Sequence, residues 1–259
     1  MQSFNFAEKL IVVTGAAQGI GAAVARSLVL AGATVAGFDV QADKLKSIRE
    51  ELSPQRFSPY EVDVSDAPAV NRHIQAIEQN LGAIAGLVNV AGILRCKPAI
   101  ALTDADWERT FAVNATGVFN VSRSVAKEMI PRRSGAIVTV GSNAAAVPRQ
   151  QMAAYAASKA AAAHFTRCLG LELAGFGIRC NVISPGSTDT PMQRGLWLDH
   201  SAHSAVLQGS LDTFRTGIPL GRIASPEDIA AGVLFLLSEQ ARHITLHDLR
   251  VDGGATLGA

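Results

Sequence analysis

Apolar residues fall along this chain in short unbroken runs, separated by stretches where they recur every three or four positions. The runs Leu10 to Thr14, Thr34 to Asp39, Phe57 to Val62, Gly86 to Asn89, Ala136 to Gly141, Ile178 to Ile183 and Leu246 to Val251 predict strands. The stretches Ile20 to Ala31, Ala67 to Asn80, Asp104 to Ile130, Ala153 to Ala174 and Pro226 to Leu237 predict helices. A run such as Leu10-Ile11-Val12-Val13 has no polar alternation, so both of its faces must be covered. Such strands alternating with helices predict an α/β fold, a parallel sheet with helices on both faces.

No linker-like segment or composition shift interrupts this alternation, so residues 1–259 are expected to form a single domain. Residues 184–219 break the rhythm. This excursion carries scattered apolar residues, including Met192, Leu196, Trp197 and Leu198, and is expected to be a substrate lid or a pair of surface helices. A formal net charge of +1 lacks the basic excess of a nucleic-acid binder, and Arg132-Arg133 is too small a patch for a membrane surface. No apolar run reaches membrane-spanning length, and the N-terminus has no secretory pattern. The 3 cysteines, Cys96, Cys168 and Cys180, are scattered and form no CxxC, which points to a reducing cytoplasm rather than a disulfide framework. His200/His203 and His243/His247 have helical ligand spacing, but no carboxylate cluster completes either pair, so no metal is expected.

Candidate chemistry begins after the first strand. Gly15, Gly19 and Gly21 stand in a GxxxGxG pattern that opens the first helix, with Gln18 and Ile20 between them. Glycines there let the backbone approach a pyrophosphate whose charge rests at the helix N-terminus. Asp39 closes the second strand, where a carboxylate can accept hydrogen bonds from ribose hydroxyls and repel a 2′-phosphate. No Arg or Lys stands at positions 16–18 or 40–41, so NAD is favoured over NADP. Asp63-Val64 and Asn89-Val90-Ala91-Gly92 close the third and fourth strands, where a parallel sheet places its ligands.

Tyr155 and Lys159 lie one helical turn apart and share a face. With 2 tyrosines and six lysines, chance supplies roughly 0.05 such pairs. A phenol is a weak base at neutral pH, and a neighbouring ammonium favours its ionised form. Ser142, 13 residues earlier, follows the fifth strand and can hold a substrate oxygen. Taken alone, the pair reads first as a helical Tyr and Lys with solvated tips.

Gly15/Gly19/Gly21, Asp63, Asn89 to Gly92, Asn114, Ser142, Tyr155, Lys159 and Pro185-Gly186 occur in the order and spacing of the short-chain dehydrogenase/reductase family, which the chain resembles over nearly its whole length. The resemblance implies one doubly wound Rossmann-like domain with a seven-stranded parallel sheet, a nicotinamide cofactor and a homotetramer. It implies Tyr155 as acid/base and Lys159 as the residue that lowers the phenol's pKa and binds the nicotinamide ribose. It implies that Ser142 orients the substrate, that Asn114 supports a proton-relay water, and that Pro185, Gly186 and Thr188 help hold the cofactor. Val90 stands where many members have alanine. The segments Gly92 to Arg95, Gly141 to Arg149 and Ser184 to Gln193 resemble a branch of the family that oxidises cyclic dihydrodiol acids. That resemblance implies a cationic anchor, Arg149 ahead of Arg95, with Met192 and Gln193 over the ring. A related amino-alcohol acid, or a non-catalytic NAD-binding role, stays open at this point.

Overall fold

A computed structural model describes residues 4–196 and 201–259, with side chains from residue 204 onward in the second stretch. Trp197, Leu198 and His200, and the side chain of His203, lie outside the described residues. Seven parallel strands form one sheet: β1 (Leu10–Thr14), β2 (Thr34–Asp39), β3 (Phe57–Glu61), β4 (Ile84–Asn89), β5 (Gly135–Val140), β6 (Ile178–Pro185) and β7 (Asp248–Val251). Their order is β3-β2-β1-β4-β5-β6-β7.

The unalternated apolar strands have the physical basis that the sequence suggests. In β1, Ile11 and Val13 enter one core layer, and Leu10 and Val12 enter the other. Helices α1 (Gly19–Leu30), α2 (Ala42–Glu51) and α9 (Pro226–Leu237) cover the first face. Helices α3 (Ala67–Asn80), α5 (Gly117–Met129) and α6 (Ala153–Leu173) cover the second. Successive side chains therefore point into separate apolar layers, which is why neither face tolerates a polar alternation.

The structure differs from the sequence reading in three places. The helix expected over Asp104 to Ile130 is α4 (Asp104–Phe111) and α5, joined by a π-helical turn over Ala112–Thr116. α2 was not singled out in the sequence because only Leu45 and Ile48 face the core. The last strand begins at Asp248, not Leu246, because Leu246 has a φ of 64° and its N–H bonds to the Cys180 carbonyl before the ladder starts. The excursion after β6 contains the short helices α7 (Pro191–Arg194) and α8 (Ser201–Gln208).

From β1 the chain winds to β2 and β3 on one side, whereas β4 to β7 lie on the other. Ligands in open α/β sheets bind at this reversal, beyond the carboxyl ends of the strands. The β1 and β4 loops meet there: a Cβ on Gly15, whose φ is +67°, would lie 2.8 Å from the Ala91 nitrogen.

Candidate active site

A cleft of about 330 Å³ opens at that reversal. Its lower half is a tight turn against a helix start. A Cβ on Gly21 would sit 2.0 Å from the Gly15 carbonyl oxygen, so no side chain fits while α1 keeps its approach to the turn. The Gln18 N-cap makes no side-chain capping bond to α1, which leaves the helix start suited to an external anion. Gly15, Gln18, Gly19, Ile20 and Gly21 all line the cleft.

Asp39 lines the same end. It accepts hydrogen bonds from the Ala17 N–H at 3.1 Å and the Gln41 N–H at 3.0 Å, which fixes the carboxylate beside the glycine turn. Lys44 reaches this end from α2 and donates to the Gln18 side chain at 2.7 Å. Asp63 and Val64 form the next wall. Asp63 is held by the Ser65 backbone and hydroxyl and by Arg109 at 3.0 Å. Burial opposes its ionisation, but these donors prevail and hold its carboxyl below the ordinary range.

Within Asn89 to Gly92 the residues divide. Val90, Ala91 and Gly92 line the cleft. The Asn89 side chain does not: it is buried and donates to Ser122 at 2.9 Å and Thr139 at 3.3 Å, tying β4 to α5 and β5. Thr14, which the sequence analysis did not single out, accepts from the N–H groups of both Val90 and Ala91 through its hydroxyl, at 3.0 and 3.1 Å. It clamps the β4 loop to β1. Its only sequence signal is a threonine at a strand end, too common to read alone.

The upper half of the cleft carries the reactive side chains. Ser142 follows β5, Tyr155 and Lys159 stand on α6, and all three line the cavity. Burial pushes the Tyr155 phenol above its ordinary range, and the neighbouring Ser142 hydroxyl opposes that shift without overcoming it. Lys159 is only 5% exposed. It donates to the Val140 carbonyl at 2.7 Å, and its Nζ lies 6.0 Å from the centre of the Tyr155 ring. Desolvation lowers the Lys159 ammonium to about 8. In this structure burial outweighs the influence that favours the phenolate.

Asn114 sits in the π-helical turn and is fully buried. Its side-chain oxygen accepts from the Ile93 N–H at 2.8 Å, and its amide donates to the Ile93 carbonyl at 2.9 Å and the Ser158 hydroxyl at 3.0 Å. It does not line the cleft, and its side chain is committed to bracing the β4 loop against α6.

The cleft lining separates the two candidate anchors. Arg149 lines the cleft, whereas Arg95 is exposed and lies outside its lining. Burial lowers the Arg149 guanidinium, the neighbouring charge of Arg215 lowers it further, and Asp252 opposes both. Arg215 also lines the cleft. It was missed in the sequence, where its one signal is a lone cation between Gly209 and Gly217. Pro185, Gly186, Thr188, Met192 and Gln193 complete the wall near α7, whose first turn is capped by the Thr190 hydroxyl.

Residues 9–201 match the family model described as short chain dehydrogenase. The chain is 56% identical over 252 residues to the 2,3-dihydro-2,3-dihydroxybenzoate dehydrogenase of Bacillus subtilis (strain 168), covering 96% of this chain and 97% of the relative. It is 48% identical over 255 residues to the enzyme of the same name from Escherichia coli (strain K12), covering 98% and 100% respectively. Among solved structures, a putative gluconate dehydrogenase from Agrobacterium tumefaciens superposes with a TM-score of 0.91 at 28% identity, with 98% of each chain covered. A glycine turn, a Ser-Tyr-Lys cleft and near-full-length similarity agree, and the chain belongs to the short-chain dehydrogenase family.

Proposed function

We propose that this protein oxidises 2,3-dihydro-2,3-dihydroxybenzoate to 2,3-dihydroxybenzoate with NAD, the step that yields the catechol acid used in siderophores. The observation that carries this reading is one cleft that joins a Ser142–Tyr155–Lys159 constellation to an arginine-lined end. Two near-full-length relatives bear the corresponding enzyme name. We assign the protein to the cytoplasm as a single-domain homotetramer, with the excursion at 184–219 as its substrate lid. No helix among the described residues is long and apolar enough to cross a membrane.

NAD fits the residues present: the Gly15–Gly21 turn accepts a pyrophosphate against α1, and Asp39 stands where ribose hydroxyls need an acceptor. When bound, NAD supplies the hydride acceptor. Ser142 holds the substrate C3 hydroxyl, and Tyr155 takes its proton at the phenol oxygen. Lys159, when charged, favours the phenolate and offers its ammonium to the nicotinamide ribose. Arg149 fixes the carboxylate so that C3, and not the neighbouring carbon, faces the hydride acceptor. Met192 and Gln193 cover the ring. The ketone formed at C3 then tautomerises to the aromatic catechol, which draws the oxidation forward.

Turnover assays with NAD test this reading, using the dihydrodiol acid beside trans-2,3-dihydro-3-hydroxyanthranilate, in which an amine replaces one hydroxyl. A higher kcat/KM for the dihydrodiol acid is expected. A preference for the amine would move the assignment to that reaction. No turnover of any cyclic alcohol would leave a non-catalytic NAD-binding protein.

A further inference from the structure

The excursion after β6 brings a second guanidinium into the substrate end of the cleft. Arg149 and Arg215 both line the main cavity, and both line a small side cavity shared with Asn143, Ser187 and Thr216. Neither side chain makes a hydrogen bond or ion pair with a protein acceptor among the described residues. Arg26, Arg109, Arg132, Arg194 and Arg222 all do, each with a carboxylate. The acid whose charge reaches Arg149 is Asp252. That carboxylate already takes the Thr256 hydroxyl at 2.7 Å, the Gly254 N–H at 3.0 Å and the Asn143 amide at 3.3 Å. Among the described residues, two partly buried cations thus face one space with no carboxylate bonded to either, an arrangement that costs free energy unless a ligand supplies the charge.

The root of Arg215 is fixed rather than loose. Ser210 and Arg215 exchange two backbone hydrogen bonds, each 2.9 Å. Gly209 and Gly217 make the crossing beneath them possible. A Cβ on Gly209, at φ +82°, would lie 2.3 Å from the Arg215 carbonyl oxygen, and one on Gly217, at φ +63°, would lie 2.4 Å from the Leu207 carbonyl oxygen. The adjoining Thr216 hydroxyl donates to the Ala255 carbonyl at 2.8 Å, anchoring the loop to the C-terminal segment.

We propose that Arg149 and Arg215 form a two-guanidinium clamp for the substrate carboxylate, with Arg215 as the arm contributed by the excursion. This rests on the acid-substrate reading above and adds a specificity-determining residue to it. Each arm offers planar paired donors, so one carboxylate can bridge both. A neutral diol of the same ring leaves both cations uncompensated and is disfavoured for that reason.

The test compares wild type with Arg215→Met, Arg215→Lys and Arg149→Met, all with NAD present. One readout is kcat and KM for 2,3-dihydro-2,3-dihydroxybenzoate and for the carboxylate-free cyclohexadienediol. A second, independent of turnover, is the calorimetric affinity for 2,3-dihydroxybenzoate and for catechol. Arg215→Met should weaken both acids by roughly 10- to 100-fold, the value of one charge-assisted contact, and change the neutral pair far less. Arg215→Lys should recover part of the loss, because charge returns without the planar fork. Equal losses for acid and neutral ligands would overturn the clamp and make Arg215 a loop-shaping residue. An effect of Arg149→Met alone would also overturn it, leaving a one-armed anchor. If Arg215→Met fails to bind NAD or to fold, Arg215→Lys carries the same acid-against-neutral comparison. A wild type that binds 2,3-dihydroxybenzoate through both arginines yet does not oxidise the dihydrodiol acid would sink the function and spare the clamp.

Discussion

Replacing Lys159 by methionine separates what the buried ammonium does for chemistry from what it costs the fold. Lys159 is 5% exposed, and its one acceptor among the described residues is the Val140 carbonyl. Desolvation lowers its pKa from an ordinary 10.5 to about 8. At ~1.4 kcal/mol per pH unit, that change corresponds to a penalty on the order of 3 kcal/mol for keeping the charged form in the folded protein. The sign follows from proton counting. Below pH 8 the lysine is charged in both folded and unfolded chains, and the penalty is constant. Between about 8 and 10.5 the unfolded chain binds more protons, so the group's contribution to stability rises with pH. It is lost again as pH falls through the folded value. Methionine has no such dependence, although it leaves the Val140 carbonyl without this donor, an offset of about 1–3 kcal/mol. Urea unfolding of wild type and Lys159→Met at pH 7, 8, 9 and 10 measures the difference directly. Wild type should gain on the variant above pH 8, by up to roughly 3 kcal/mol at the upper end. Parallel stability curves would refute the reasoning, because they would mean that the ammonium is not desolvated. In the same variant turnover and NAD affinity should both fall, and unchanged NAD affinity would remove the ribose role.

Two further substitutions test the cofactor end and the brace. Asp39→Ala should lower NAD affinity by roughly 10- to 100-fold and narrow the preference over NADP, measured as the ratio of kcat/KM values. A wild type that prefers NADP would overturn the ribose assignment of Asp39. Asn114→Ala should destabilise by about 1–3 kcal/mol for each buried Ile93 or Ser158 group left without a partner, read as a lower Tm. An unchanged Tm with lost turnover would return Asn114 to a direct part in proton transfer.

The strands were legible because each is a dense apolar run whose neighbouring residues feed two separate cores, as Leu10 to Val13 do. Glycines at 15, 19 and 21 were legible because backbone closeness at a turn admits few other residues. The expected single helix from Asp104 to Ile130 concealed the π turn, since a polar Asn114 at its centre does not disturb helical periodicity until its buried hydrogen bonds are seen. Side-chain direction was the least readable property. Asn89 ends β4 and Arg95 lies beyond it, yet neither lines the cleft, whereas Arg215, far along the chain, does. The Tyr155 and Lys159 spacing indicated a shared face but not that both would be buried, and burial is what sets their pKa values here. The meeting of Ser142 and Tyr155 in one cleft likewise emerges only when β5 and α6 are placed together.

In the proposed mechanism Tyr155 is the base of an NAD-dependent oxidation of a dihydrodiol acid. The most direct measurement is single-turnover hydride transfer to NAD from 2,3-dihydro-2,3-dihydroxybenzoate by wild type and Tyr155→Phe, beside calorimetric NAD binding. The ring and its packing survive the substitution, so NAD should bind both proteins alike. The rate should fall by roughly 100-fold or more when the phenol oxygen is removed. A Tyr155→Phe variant that transfers hydride near the wild-type rate would contradict the account.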